Sequence, residues 1–344
     1  LAGVRWSPDG ACLLTASEDN WLRVYDLPAE VLDQGLLEPA DDGGAAAIDD
    51  NLPAVLYLDE GETIYDYAWY PRMLASEPSS CVFASTSRAH PLHLWDAVSG
   101  QLRATYRAYD AVDEVTAAYS VAFNRDGSRL LGGYNKAIRI FDTSRPGRFY
   151  TEIVTHLKKR LGCAGIVSCM ASNEDGSGMM AAGAYSGDAA VMDERTGELL
   201  YVLQGQKGGI TQVQFSRDGN FLYTGARRDP DIFCWDVRFT SDVIYRMQRE
   251  TVATNQRVQF DIEPCGRHLA TGMPSHSPDQ VFDLRTGEPV ASHTAAADTV
   301  NGFHFHPFLP LAASASGAVL PISATNLMHF SPTHQREAPA NCYC

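Results

Sequence analysis

A large apolar or aromatic residue followed by aspartate recurs through this chain. It stands at Tyr25-Asp26, Trp95-Asp96, Phe141-Asp142, Met192-Asp193, Trp235-Asp236 and Phe282-Asp283, with spacings of 70, 46, 51, 43 and 47 residues. A second signal precedes it in most copies. Ser7-Pro8-Asp9-Gly10, Asn124-Arg125-Asp126-Gly127, Asn173-Glu174-Asp175-Gly176 and Ser216-Arg217-Asp218-Gly219 all end in Asp-Gly, and Glu263-Pro264-Cys265-Gly266 is a looser copy. Asp-Gly tolerates the positive φ that a tight turn demands. The clearest copy runs from Gln206 to Asp236. Ile210, Val213 and Phe215 read as one strand, Ser216–Gly219 as a turn and Phe221–Thr224 as a second strand. Arg227–Asp231 is then a second turn and Ile232–Trp235 a third strand. So small a strand group cannot bury a core alone, and the copies must stack on one another.

A turn and an aromatic-Asp ending that return together every 40 to 50 residues, roughly, are the signature of WD40 blades. A seventh unit opens at Val300-Asn301-Gly302-Phe303-His304-Phe305-His306-Pro307 and fades after Gly317. The sequence therefore predicts an all-β fold, a seven-bladed WD40 β-propeller over residues 1–319. Residues 28–51 are acidic and of low complexity, which predicts a disordered insertion between blades one and two and explains the spacing of 70. Residues 320–344 carry little periodicity and read as a disordered tail. The first residue is Leu1, not Met, and the chain starts inside a strand, which reads as a fragment. Propellers usually close by pairing an N-terminal strand with the last blade. The sequence supplies no strand ahead of blade one, so it leaves the mode of closure open.

Composition narrows the function. No run of eighteen apolar residues exists, so no membrane-spanning helix is expected. The eight cysteines have no zinc-finger spacing and read as free, mostly buried thiols. A net charge of −15 disfavours indiscriminate binding to polyanions, so any nucleic-acid site must be a local basic patch. No Gly-rich phosphate loop or G-x-S-x-G elbow is present. His304-x-His306 has a spacing that suits a metal, but His306-Pro307 stands where other blades have their turn, which makes a turn histidine the better reading. Asp19, Asn135 and Asp229 each lie seven residues before the closing Asp of a blade and read as turn residues. No catalytic residue, cofactor, metal or small-molecule substrate is expected. The chain reads as a non-catalytic binding platform.

Alternation in Glu60-Gly61-Glu62-Thr63-Ile64-Tyr65-Asp66-Tyr67-Ala68-Trp69-Tyr70 sends Tyr65, Tyr67 and Trp69 to one face, where blade packing takes most of the rings. A candidate RNA-binding arc comes from the turns between second and third strands, which open on one face of a propeller. The residue just before the turn position, read blade by blade, is Glu18, Arg88, Tyr134, Tyr185, Arg228 and Ser275. Lys136 and Arg227 lie beside it, and the loops entering blades five and six add Lys207 and Arg257. Tyrosines can stack on unpaired bases, and arginines can hold phosphates or stack themselves. The most basic segment, Thr143–Arg160, is a second candidate for phosphate contact.

Several strings lie outside the general WD40 pattern. They are the segment from Glu60 to Tyr70, Trp95-Asp96-Ala97, Leu102-Arg103-Ala104-Thr105-Tyr106-Arg107-Ala108-Tyr109 and Asp113-Glu114-Val115-Thr116-Ala117-Ala118. Arg145-Pro146-Gly147-Arg148, Gly208-Gly209-Ile210-Thr211, Gly225-Ala226-Arg227-Arg228-Asp229 and Thr254-Asn255-Gln256-Arg257 belong with them. In order and spacing, over roughly Val4 to Gly317, these resemble the telomerase Cajal body protein family. The resemblance implies a nuclear WD40 scaffold of Cajal bodies. It would bind the CAB box of small Cajal body RNAs, and telomerase RNA in vertebrate members, and bring H/ACA ribonucleoproteins containing dyskerin to those bodies. The sequence departs from the family where Gly205-Gln206 replaces a frequent Gly-His, which bears on the blade-five hydrogen-bond network. The acidic loop and the tail also differ. The alternative is a protein-only adaptor. Trp235-Asp236-Val237-Arg238 and Phe282-Asp283-Leu284-Arg285 fit the W-D-x-R pattern of substrate receptors for cullin–RING ubiquitin ligases.

Overall fold

The computed structural model describes residues 3–28, 52–157, 161–274, 277–294, 296, 298–317 and 327–329. The expected insertion, apart from Pro28, and nearly all of the expected tail lie outside them. The described strands form six four-stranded antiparallel sheets and one three-stranded sheet, each in simple chain order from inside to outside, with two short hairpins between blades. The innermost strands are Gly3–Trp6, Ile64–Trp69, Ser120–Phe123, Val167–Ser172, Ile210–Phe215, Phe260–Ile262 and Val300–Phe305. They surround a central channel. We call the face where they begin the upper face and the face where they end the lower face. The turns between second and third strands also lie on the upper face.

The Asp-Gly turns form as their chemistry requires. Gly10, Gly127 and Gly219 have φ of 73°, 74° and 73°. The preceding aspartates accept backbone N–H groups two residues on, Asp126 from Ser128 at 2.9 Å and Asp9 from Ala11 at 3.1 Å. The core is divided between the blades, one apolar cluster at each seam. Leu14 meets Phe83 between blades one and two, Tyr106 meets Phe141 between two and three, and Ile138 meets Val167 between three and four. Val191 meets Ile210, Tyr223 meets Phe260, and Val281 meets Phe303 at the next three seams.

The seventh seam closes the ring. Val4, Trp6 and Tyr25 of blade one pack with Leu311, Ala313 and Ala315 of blade seven. His306 sits in the blade-seven turn and spans the same seam. Its Nδ1 accepts the N–H groups of Phe308 and Leu309 at 3.1 and 2.8 Å, which leaves Nε2–H to donate to the Gly10 carbonyl at 3.1 Å. His304 adds a longer bond across the seam, its Nδ1 facing the Trp6 N–H at 3.4 Å, so among the described residues closure rests on side-chain packing and two histidines.

Four inner strands carry a bulge at their upper end, at Tyr65, Ser168, Thr211 and Asn301. A bulge frees one residue from the ladder and re-aims its carbonyl. It also breaks alternation. Tyr67 and Trp69 are buried as the sequence implied, but Tyr65 is half-buried and stacks on Tyr119 at 5.5 Å. Lower in the channel, Asp66 accepts the N–H groups of Tyr67 and Val121, both at 3.0 Å. Asp261 accepts those of Ile262 and Phe305, both at 2.8 Å. Each aspartate therefore stitches its own blade to the next.

Candidate nucleic-acid interface

The upper face brings part of the expected arc together around blade five. The second strand of blade four ends at Ala184 and that of blade five at Ala226, so Tyr185 and Arg227 occupy equivalent positions in adjacent blades. The Arg227 guanidinium lies 4.4 Å from the Tyr185 ring centroid and donates to the Tyr185 hydroxyl at 2.9 Å. Tyr185 is 37% exposed and Arg227 half-buried. The loop Lys207-Gly208-Gly209 threads between them. A Cβ on Gly208 would meet the Arg227 carbonyl oxygen at 1.8 Å, and one on Gly209 would meet the Tyr185 backbone at 3.0 Å, so only glycine lets the three segments touch. Arg228 is exposed and held at φ 55°, its N–H bonded to the Thr254 carbonyl at 3.2 Å. Lys207 is exposed, and its N–H bonds the Asp229 carboxylate at 2.6 Å.

Arg88 and Lys136 lie in exposed turns of blades two and three on the same face. Among the described residues, none of Arg88, Lys136, Lys207 and Arg228 has a carboxylate within ion-pairing distance. Asp229 is fully buried and accepts backbone N–H groups from Lys207 and Asp231, so it does not neutralise Arg228. Glu18 is exposed in blade one, and Ser275 lies outside the described residues.

Two expected residues leave the arc. Tyr134 is the last residue of its strand, paired with Ala137 across a two-residue turn, and is only 4% exposed. Burial pushes its phenol pKa up, and Arg139 lies over its ring at 4.6 Å. Counting back from the closing Asp assumes turns of constant length. The blade-three turn is shorter than that of blade five, so the same count lands inside the strand. Arg257 is the second. Its guanidinium crosses the top of the channel and donates to the carbonyls of Tyr65 at 2.8 Å, Ser168 at 3.2 Å and Thr211 at 3.2 Å. These are three of the four bulged residues, in blades two, four and five. The fourth bulge, Asn301, has its carbonyl bonded by the Gln259 N–H at 2.9 Å. Arg257 is a cross-brace that commits three of its N–H donors to the protein.

Other residues emerge only from the geometry. Arg249, almost fully buried, donates to the carbonyls of Ala226 and Val258 at 3.3 and 3.0 Å, and burial pushes its pKa down to about 10. It fixes the strand end that carries Arg227. The Tyr65–Tyr119 stack adds aromatic surface that strict alternation concealed. In the basic segment, Arg145 stacks on Phe149 at 4.2 Å, and Arg148 stacks on Tyr109 at 4.5 Å and pairs with Asp113 at 3.0 Å. Lys158, Lys159 and Arg160 lie outside the described residues. The arginines of the W-D-x-R strings fold back on their own closing aspartates, Arg238 on Asp236 at 2.8 Å and Arg285 on Asp283 at 3.5 Å.

The departure at Gln206 is absorbed. Its amide Nε2 donates to the Thr224 carbonyl at 3.1 Å, while Trp235 Nε1 donates to Thr224 Oγ1 at 3.1 Å. The loop into blade five is thus tied to the Trp-Asp strand without a histidine.

Comparison with known proteins agrees with this architecture. The WD domain, G-beta repeat family matches residues 2–26, 100–142 and 197–236. Telomerase Cajal body protein 1 of Bos taurus is 42% identical over 324 residues, covering 92% of this chain and 57% of the relative. The homolog of that protein in Drosophila melanogaster is 35% identical over 92% of this chain and 56% of its own length. Guanine nucleotide-binding protein negative regulator 1 of Schizosaccharomyces pombe is 30% identical over 78% of this chain and 67% of its own. The chain spans somewhat more than half the length of the Cajal body relatives.

Proposed function

The chain belongs to the telomerase Cajal body protein family, and from that premise we propose that it is a non-catalytic, RNA-binding scaffold of the nucleus. Its RNA partners are small Cajal body RNAs bearing a CAB box and, by the name its relatives carry, telomerase RNA. It directs their H/ACA ribonucleoproteins, dyskerin among them, to Cajal bodies. The observation that carries the reading is the Tyr185–Arg227 pair, flanked by Arg228 and Lys207 on the upper face. An exposed ring braced by a guanidinium is a platform for an unpaired base, and the unpaired cations beside it suit phosphates. On a body of charge −15 such a patch confines RNA to one place.

The test is anisotropy titration of a labelled CAB-box hairpin. Tyr185→Ala is expected to cost about 1–3 kcal/mol of binding, the worth of one stacked base. Arg228→Ala should weaken binding and flatten its salt dependence. Both should leave the unfolding midpoint nearly unchanged. Charge reversal at Lys158 and Lys159 should matter less. Wild-type binding by the two upper-face variants would refute the assignment. Ribonuclease treatment of pulled-down material separates this reading from the protein-only adaptor, whose partners would survive it.

A further inference from the structure

The loop that enters blade six is fastened along its length and leaves two side chains unused. It contains Thr254-Asn255-Gln256-Arg257, one of the strings outside the general WD40 pattern. Arg257 anchors its end to three carbonyls across the channel. The Thr254 carbonyl accepts the Arg228 N–H at 3.2 Å, and the Thr254 hydroxyl accepts the Gln256 N–H at 3.1 Å. The Thr254 N–H turns back to the Thr251 carbonyl at 3.3 Å, and Thr251 Oγ1 donates to the Asp229 carbonyl. The loop is therefore tied at both ends and in its middle, and two of those ties go to the turn that carries Arg227 and Arg228.

Asn255 and Gln256 are the two side chains left over, and both are exposed. Among the described residues the Asn255 amide has no hydrogen-bond partner, and the Gln256 amide has only Thr254 Oγ1 at 3.5 Å from its Oε1. A planar amide sets a donor and an acceptor side by side and carries no charge. That complements the edge of a base, not a phosphate. Phosphate-holding groups stand beside it in Arg228 and Lys207, both exposed. Of the acids in the two joined segments, Asp229 is buried, Asp231 is half-buried, and Glu250 accepts Ser277 Oγ at 2.6 Å. Arg227 links the amides to the platform, since it stacks on Tyr185 and its neighbour Arg228 is bonded to Thr254.

We propose that this loop reads sequence: Asn255 and Gln256 hydrogen-bond the edge of an unpaired adenine next to the base stacked on Tyr185. The inference rests on the RNA-binding role proposed above for the Tyr185–Arg227 pair, and it adds what that pair lacks. A ring and a guanidinium stack on any base, and exposed cations hold any phosphate. An amide discriminates. Its acceptor meets the N6 amino group of adenine while its donor meets the adjacent ring nitrogen, N1 or N7. Because the loop is already tied down, little freedom is lost when the contact forms. Stacking and charge then set how tightly RNA is held on this face, and the two amides set which RNA it is.

The test is selection of RNA hairpins with a randomised loop on the whole chain, followed by anisotropy titration of an enriched hairpin. The wild type is run beside Tyr185→Ala and the Asn255→Ala/Gln256→Ala double variant. Both amides are exposed, and near-ultraviolet circular dichroism checks the fold. The wild type should enrich adenine at one loop position, and replacing that adenine should weaken binding roughly tenfold, the worth of one bidentate edge contact. The double variant should bind the enriched hairpin about as weakly as the wild type binds the replaced one, be indifferent to the base at that position, and keep the wild-type salt slope. Tyr185→Ala should weaken both hairpins and still prefer adenine. A wild type that prefers no adenine, or a double variant that keeps the preference while Tyr185→Ala binds weakly, would overturn this inference alone. A wild type that enriches no RNA, or Tyr185→Ala binding as wild type does, would remove the RNA-binding reading beneath it and this inference too.

Discussion

Blades two and five solve one problem with opposite chemistry. Each must tie the loop that enters it to the tryptophan of its third strand. In blade two the tie is a buried anion. Glu60 accepts from Trp95 Nε1 at 2.9 Å, from Ser87 Oγ at 2.9 Å, from Ser85 Oγ, and from His93 Nδ1 at 3.1 Å. In blade five the loop residue is the neutral amide of Gln206, which reaches Trp235 through Thr224, while the charge sits apart on Asp229 among backbone N–H groups. The position of the tie is set by the fold. Its charge is free to vary, provided every buried donor finds an acceptor.

The largest expected effect separates the tryptophans. Trp235 is 4% exposed and Trp95 half-buried. Trp235→Ala should cost about 3–5 kcal/mol, and Trp95→Ala clearly less, by urea denaturation. Equal losses would erase the difference in packing. Next comes an exchange of the loop residues. Glu60→Gln puts an amide where four donors converge, and Gln206→Glu aims a carboxylate at the carbonyls of Thr224 and Asp231. Each should destabilise by about 1–3 kcal/mol, since each leaves a buried group unpaired or repelled. If Gln206→Glu is neutral, the blade-five site is wetter than its geometry implies.

The smallest effect is in pH. Burial works against the Glu60 carboxylate, but the His93, Ser85 and Trp95 hydrogen bonds outweigh it and hold its pKa below the usual 4.5. A depressed folded pKa contributes stability above the unfolded value, and that stability is lost as pH falls through the folded one. The unfolding midpoint should therefore drop as pH falls below 4.5, and Glu60→Gln should remove part of that slope. Gln206→Ala should leave the slope as it is. A wild-type slope retained in Glu60→Gln would move the acid sensitivity to other carboxylates.

Much of the fold was legible because its signals are local. An Asp-Gly pair needs only its own backbone to specify a turn, and a Trp-Asp ending marks a strand wherever it stands. What was hidden depends on register and on distant partners. Tyr134 was misplaced because one turn is shorter than the others. Tyr65 left its expected face because a bulge shifted the alternation. Arg257 looked like a free cation, since nothing near it in sequence shows that carbonyls of blades two, four and five await it. Arg227 and Tyr185 were legible one by one, but their stacking needs two adjacent blades in register.

Arg257 also has a consequence in time. Its donor to the Tyr65 carbonyl spans 192 residues of sequence, and the His306 bond that seals the ring spans 296. A chain made from its N-terminus completes blade two long before the guanidinium that satisfies it exists. Until then the bulge carbonyls face solvent and the seam of blade one with blade seven stays open, its Trp6 and Tyr25 surface uncovered. The ring is therefore finished late, and the nascent chain spends most of its synthesis with one blade edge exposed, the interval in which a chaperone has most to do.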